Sequence, residues 1–252
     1  MSDANFKEPY FVPANSPEFL ANGESFLENN QRFRQSQKFE FYRNALDYIV
    51  DNDLVGSYFE FGIHRARTFT MVMGLDQFYA SSMNVTAGKL TQKPGGGFMD
   101  KYFAFDSFQG WPADTNTPDM PQYKPGGAKT DFDEFLNLLT SYGQSTERVE
   151  LVKGFYEDSL TENLANKLLN ENVKASLVTV DCNLYESHKS VFAWVDQFLK
   201  LGTVLYLDDW NTFLSNPNRG PKLAFKEYKE QTKWRFEPFL PVGGCGHSFI
   251  VC

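Results

Sequence analysis

The sequence predicts an α/β fold: a doubly wound, mostly parallel sheet of seven strands with an N-terminal helical cap. Three observations carry this. Short β-branched and apolar runs alternate with segments of helical periodicity, the pattern of a parallel sheet. The runs at 175–180 and 203–207 are apolar almost throughout, as in strands covered on both faces. Both runs then stop abruptly at carboxylates: Asp181 after the first, Asp208 and Asp209 after the second.

The elements follow in order. Residues 19–26 and 35–50 carry apolar side chains at spacings near three and four, so residues 1–56 read as a helical cap or lid segment. Strands are expected at 57–63, 100–105, 148–153, 175–180 and 203–207. Helices are expected at 68–79, 131–142, 160–170, 187–201 and 221–231. Strand-like pieces at 235–240 and 247–251 flank a glycine-rich connection and form an antiparallel end pair. Residues 81–97, with Pro94 followed directly by three glycines, read as a flexible loop. Residues 110–130 hold four prolines and read as a lid beside a cleft. No repeat or low-complexity linker divides the chain, so residues 57–252 are expected to form the one sheet domain.

Composition narrows the function. The 252 residues are 42% hydrophobic, enough for a sizeable buried core, and 25 phenylalanines imply an aromatic one. A net charge of -8 argues against nonspecific nucleic-acid binding and against docking on anionic membranes. No apolar run approaches the ~18 residues that span a bilayer, and Met1 to Asn5 show no basic or apolar leader pattern. The three cysteines form no CxxC pair, so reduced thiols and a cytoplasmic location are expected.

Ligands of open α/β sheets bind beyond the carboxyl ends of the strands, and there the chemistry is concentrated. Asp181, Asp208 and Asp209, with the amide of Asn183, make an all-oxygen set that suits a hard divalent ion such as Mg²⁺. The alternative is that Asp208 and Asp209 cap a helix or pair with lysine or arginine. Gly62, after Glu60, lets backbone approach a ligand closely, and Glu60 is an acceptor there. The absent GxGxxG argues against a nicotinamide cofactor. Asp106 can accept both hydroxyls of a ribose, although Asp106 or Ser107 can equally cap a helix. Asp158 or Ser159 can cap the next helix, or Asp158 can meet an adenine amino group.

Five segments occur in order: Phe-Glu-Phe-Gly, Phe-Asp-Ser-Phe-Gln-Gly, Lys-Gly-Phe-Tyr-Glu-Asp-Ser-Leu, Val-Asp-Cys-Asn-Leu-Tyr-Glu-Ser and Leu-Asp-Asp-Trp. Together they resemble the macrocin O-methyltransferase family of S-adenosylmethionine (SAM)-dependent, metal-dependent sugar O-methyltransferases, from about Gly56 to Lys229. The resemblance implies a class I SAM methyltransferase fold and a homo-oligomer. It implies that Glu60, Gly62, Asp106, Ser107 and Asp158, beside Ser159, hold SAM, and that Asp181, Asp208 and Asp209 bind Mg²⁺. Asp181 is the first candidate for the general base and His188 the second. Two departures stand out: Asn183 replaces the second acid of the Asp-x-Asp segment, and Ala66 or Arg67 stands at a small-residue position, often glycine in the family. The acceptor is expected to be a sugar-like small molecule. A catechol-like acceptor, or a SAM-binding protein without turnover, are the rival readings.

Overall fold

A computed structural model describes residues 26–82, 89–112 and 123–252. Strands β1 (Ser57–Phe61), β2 (Tyr102–Asp106), β3 (Val149–Lys153), β4 (Ala175–Val180), β5 (Val204–Leu207), β6 (Phe236–Val242) and β7 (Gly246–Val251) form one sheet in the order β3-β2-β1-β4-β5-β7-β6. The first five are parallel, and β7 inserts antiparallel between β5 and β6. The expected seven-stranded α/β sheet with an antiparallel end pair is therefore present.

Alternation along the strands builds two cores. Phe59, Phe61, Phe103 and Phe105 face one side, where the Phe61 and Phe105 rings stack at 4.3 Å. Tyr58, Tyr102, Leu177 and Tyr206 face the other. Helix α1 (Phe26–Asp51) covers that second face together with α2 (Arg67–Ser82). In α1, Phe41, Tyr42, Ala45, Leu46 and Ile49 recur at helical spacing and are buried, with Phe41 against the Tyr206 ring at 4.6 Å. Lys38 lies one turn before Phe41 and Tyr42 on that same stripe, which turns its stem toward the strand tips.

Helices α3 (Phe132–Ser141), α4 (Glu162–Asn170), α5 (Tyr185–Val195) and α6 (Gly220–Gln231) complete the layers. The segment expected as one helix over 160–170 instead begins at Glu162, after a single turn over Tyr156–Ser159. The reason is local: Thr161 is the N-cap, its side chain accepting from the Leu164 amide at 3.2 Å. The segment expected over 187–201 starts earlier and tightens into a 3₁₀ turn at Asp196–Phe198. The helix expected at 19–26 falls almost wholly outside the described residues, as does the middle of the expected lid. No helix among the described residues is long and apolar enough to cross a membrane.

Candidate functional site

The carboxyl ends of β1 to β5 open into one cleft of about 650 Å³, walled on the far side by α1 and by the two ends of the 110–130 segment. Gly62, just past β1, has φ +86° and donates its N–H to the Phe105 carbonyl at 2.9 Å. The left-handed conformation, open to glycine at little cost, folds the turn tightly against the β4 tip. Glu60, one strand position inside, is 1% exposed and accepts from the Tyr58 hydroxyl at 2.6 Å. Burial pushes its carboxyl up to about 8, a shift that the Tyr58 hydrogen bond opposes.

At the β2 tip, Asp106 accepts from the amides of Ile63 at 3.0 Å and Phe108 at 2.7 Å. It ties the β1 and β2 tips together, and burial holds its carboxyl above the ordinary carboxylate value. Each oxygen keeps a second lone pair for a ligand hydroxyl. Ser107 Oγ donates to the Gly110 carbonyl at 3.0 Å and accepts from the Gln109 amide at 3.0 Å, closing the turn beside it.

Asp181, Asp208 and Asp209 converge as their spacing predicts: one oxygen from each lies within 4.8 Å of the others. All three are engaged by protein groups. Lys38 Nζ stands 3.1 Å from Asp181 Oδ2 and 3.1 Å from Asp208 Oδ1. The Tyr206 hydroxyl donates to Asp208 as well. Asp209 accepts from the Asn183 amide N–H at 2.8 Å and from Asn183 Nδ2 at 2.7 Å. Arg34 Nη2 approaches Asp208 at 3.8 Å from the cleft mouth. Burial and mutual repulsion raise the carboxyls of Asp181 and Asp209, whereas Lys38 and the Tyr206 hydroxyl keep Asp208 low.

The donor set has the hard-oxygen chemistry of Mg²⁺. Lys38, however, already stands between two of its members, Asp181 and Asp208, and a further cation about 4 Å from that ammonium is repelled by it by about 4 kcal/mol per unit charge at an effective dielectric near 20. To use all three carboxylates, a divalent ion would have to displace Lys38 from Asp181 and Asp208.

With this geometry in view, the comparisons are informative about the fold. No family model matches the chain, and no curated protein matches it. Solved structures do. The O-methyltransferase NovP superposes with TM-score 0.63 at 16% identity, covering 85% of this chain and 79% of its own. CalS11, a calicheamicin methyltransferase, gives 0.61 at 18%, covering 94% and 87%. The apo form of CalS11, a TDP-rhamnose 3'-O-methyltransferase, gives 0.55 at 20%, covering 95% and 88%. The fold is that of the class I SAM methyltransferases.

Within this methyltransferase fold, Glu60, Gly62, Asp106, Ser107, Asp181, Asp208 and Asp209 all line the cleft. Three expected residues do not. Asp158 is exposed, and Ser159 Oγ donates to the Gly154 carbonyl at 3.2 Å; the neighbouring Glu157 lines the cleft instead. His188, expected as a candidate base early in a helix, is fully buried. Its Nδ1 lies 2.9 Å from the Leu184 carbonyl and its ring packs 5.8 Å from Phe192. Burial lowers it to about 4. It does not line the cleft. Tyr185, also near the β4 tip, donates to Glu227 at 2.6 Å.

Sequence reasoning missed Lys38 and Trp111. Lys38 had a signal, a lysine on an otherwise apolar helical stripe. Trp111 Nε1 donates to Asn183 Oδ1 at 3.1 Å, and its ring meets Tyr123 at 4.9 Å. The two ends of the lid segment are joined where the Trp111 and Gly126–Gly127 backbones pair.

Proposed function

We propose that this chain is a SAM-dependent O-methyltransferase that acts on a hydroxyl of a sugar or sugar-containing small molecule. One observation carries the reading: in a methyltransferase fold, Gly62, Asp106 and the acidic trio share one cleft at the tips of parallel strands. Gly62 and Asp106 would hold SAM, which would supply an electrophilic methyl for the acceptor oxygen, the carbon–sulfur bond breaking as the oxygen–carbon bond forms and S-adenosylhomocysteine leaving.

The chain's own residues bind, orient and take the proton. Asp106 offers lone pairs to ribose hydroxyls, and Gly62 brings backbone against the ligand. Asp181 has the most exposed side chain in its ion pairs, 26% against 8% for Lys38 and 7% for Asp208, and accepts the proton of the attacking hydroxyl. Burial and the Asp208 charge raise its carboxyl toward neutrality, where a general base works best. Trp111 and Tyr123 form an apolar wall of the kind that a sugar ring stacks on. Much of the acceleration is then positioning. The sugar acceptor is supported by CalS11, whose substrate is TDP-rhamnose. An acidic chain at -8 suits neither nucleic acid nor anionic lipid as a partner. A cytoplasmic homo-oligomer belongs to the same proposal.

The test is transfer of label from methyl-labelled SAM to a panel of nucleotide sugars and catechols. Label in a sugar hydroxyl is expected. Label in catechols alone would replace the acceptor class. SAM binding with no label in any acceptor would leave a binding protein without turnover.

A further inference from the structure

We propose that Lys38 is the resident cation of this site: its ammonium, carried in on α1, stands between Asp181 and Asp208 in place of a divalent metal and steadies the acceptor oxygen. The inference rests on the methyltransferase reading and deepens it by naming the cation.

Four observations support it. Lys38 Nζ is within 3.1 Å of two carboxylates that come from different strands. The residue is 7% exposed, so a charge there must be met by charge, and the two aspartates meet it. Its position is fixed from behind: Phe41 and Tyr42, three and four residues on, are locked into the core against Tyr206. The same Tyr206 donates its hydroxyl to Asp208, so one tyrosine sets both the helix and the carboxylate that Lys38 pairs with.

The Asn183 departure fits the same arrangement. An acid at that position would add to the repulsion. The asparagine instead donates to Asp209 through both its backbone N–H and its side-chain amide. Asp209 is thereby engaged without a metal, while Lys38 engages the other two. An ammonium has three N–H donors; two are used here, and the third is left for an oxygen of the acceptor. Lys38 and Asn183 together supply, from within the chain, donors to all three carboxylates that the family resemblance assigns to Mg²⁺.

The experiment titrates Mn²⁺ into the full-length protein, read by electron paramagnetic resonance and by calorimetry, with methyl transfer followed in EDTA. Wild type should bind no Mn²⁺ below millimolar concentration and should keep its transfer rate in EDTA. Lys38→Met should open the trio, with Mn²⁺ binding at least tenfold tighter than wild type and a metal-free rate at least tenfold lower. Lys38→Arg, which keeps the charge, should remain without Mn²⁺ affinity. Sub-millimolar Mn²⁺ binding by wild type, or activity lost in EDTA and restored by Mg²⁺, overturns the proposal, and does so even if Lys38→Met fails to fold. SAM titrated in EDTA separates the two ideas. Absent SAM binding removes the methyltransferase reading whatever manganese does, and intact SAM binding with tight Mn²⁺ removes only the role of Lys38.

Discussion

At Gly62 a methyl group would stand 2.0 Å from the Asp181 carbonyl oxygen, in a conformation that side chains rarely adopt. Gly62→Ala must therefore push the β1 and β4 tips apart. We expect a loss of more than about 2 kcal/mol in stability, from strain and clash together, and loss of SAM binding; chemical denaturation and calorimetry read the two. Unchanged values for both would remove the tight turn from the account. Asp106 makes a different kind of demand. Asp106→Ala strands the Ile63 and Phe108 amides, so SAM affinity should fall by about 1–3 kcal/mol.

Glu60 gives a pH signature. Its carboxyl sits at about 8 in the fold against an ordinary 4.5. Below pH 4.5 both folded and unfolded chains hold the proton and the group costs nothing. As pH rises from there to 8, the unfolded chain releases the proton and the folded one does not, so stability declines. Glu60→Gln keeps an acceptor for Tyr58 and removes the titration. It should stabilise the free protein at pH 7 by on the order of 2–3 kcal/mol. The gap in melting temperature should widen from pH 5 to 8; a gap that does not change with pH contradicts the assignment.

Among the elements, α1 and the described ends of the 110–130 segment wall the cleft. Trp111 reaches the β4 tip through Asn183 and stacks edge-on with Tyr123, which in turn meets Phe213 at 6.1 Å. Trp111→Ala should raise the acceptor KM about tenfold, the equivalent of ~1.4 kcal/mol, and leave SAM affinity within twofold. A fall in SAM affinity of the same size would mean that the segment supports the cofactor side.

The strands and the antiparallel end pair were legible in the sequence because short apolar runs and carboxylate tips are local signals; the order β3-β2-β1-β4-β5-β7-β6 was not. The acidic trio was legible too, since each member simply ends or follows a strand. The helix ends were less so: Thr161 resets a helix that periodicity alone runs straight through. Lys38 was missed because its meaning depends on Asp181, 143 residues away, and on α1 lying over that tip. His188 was misread for the same reason, since early position on α5 does not say which way the ring turns. Nor does the run Glu157–Ser159 say that Glu157, and not Asp158, lines the cleft.

Over the whole molecule, five parallel strand tips bring Glu60, Gly62, Asp106 and the buried Lys38–Asp181–Asp208 ion pairs into one cleft. The aromatic cores hold the two halves in register: Phe61 and Phe105 stack directly beneath the Glu60–Gly62 and Asp106 tips, and Tyr206 anchors α1. A shift of either layer would separate groups that share this cleft. The account stands or falls on whether this cleft takes SAM. Calorimetric titration of SAM into the wild-type protein, with Asp106→Ala alongside, tests it most directly. One saturable site per chain, weakened roughly ten- to hundredfold in Asp106→Ala, is the expected result. Absence of binding heat in the folded wild type, or equal affinity in the variant, would contradict it.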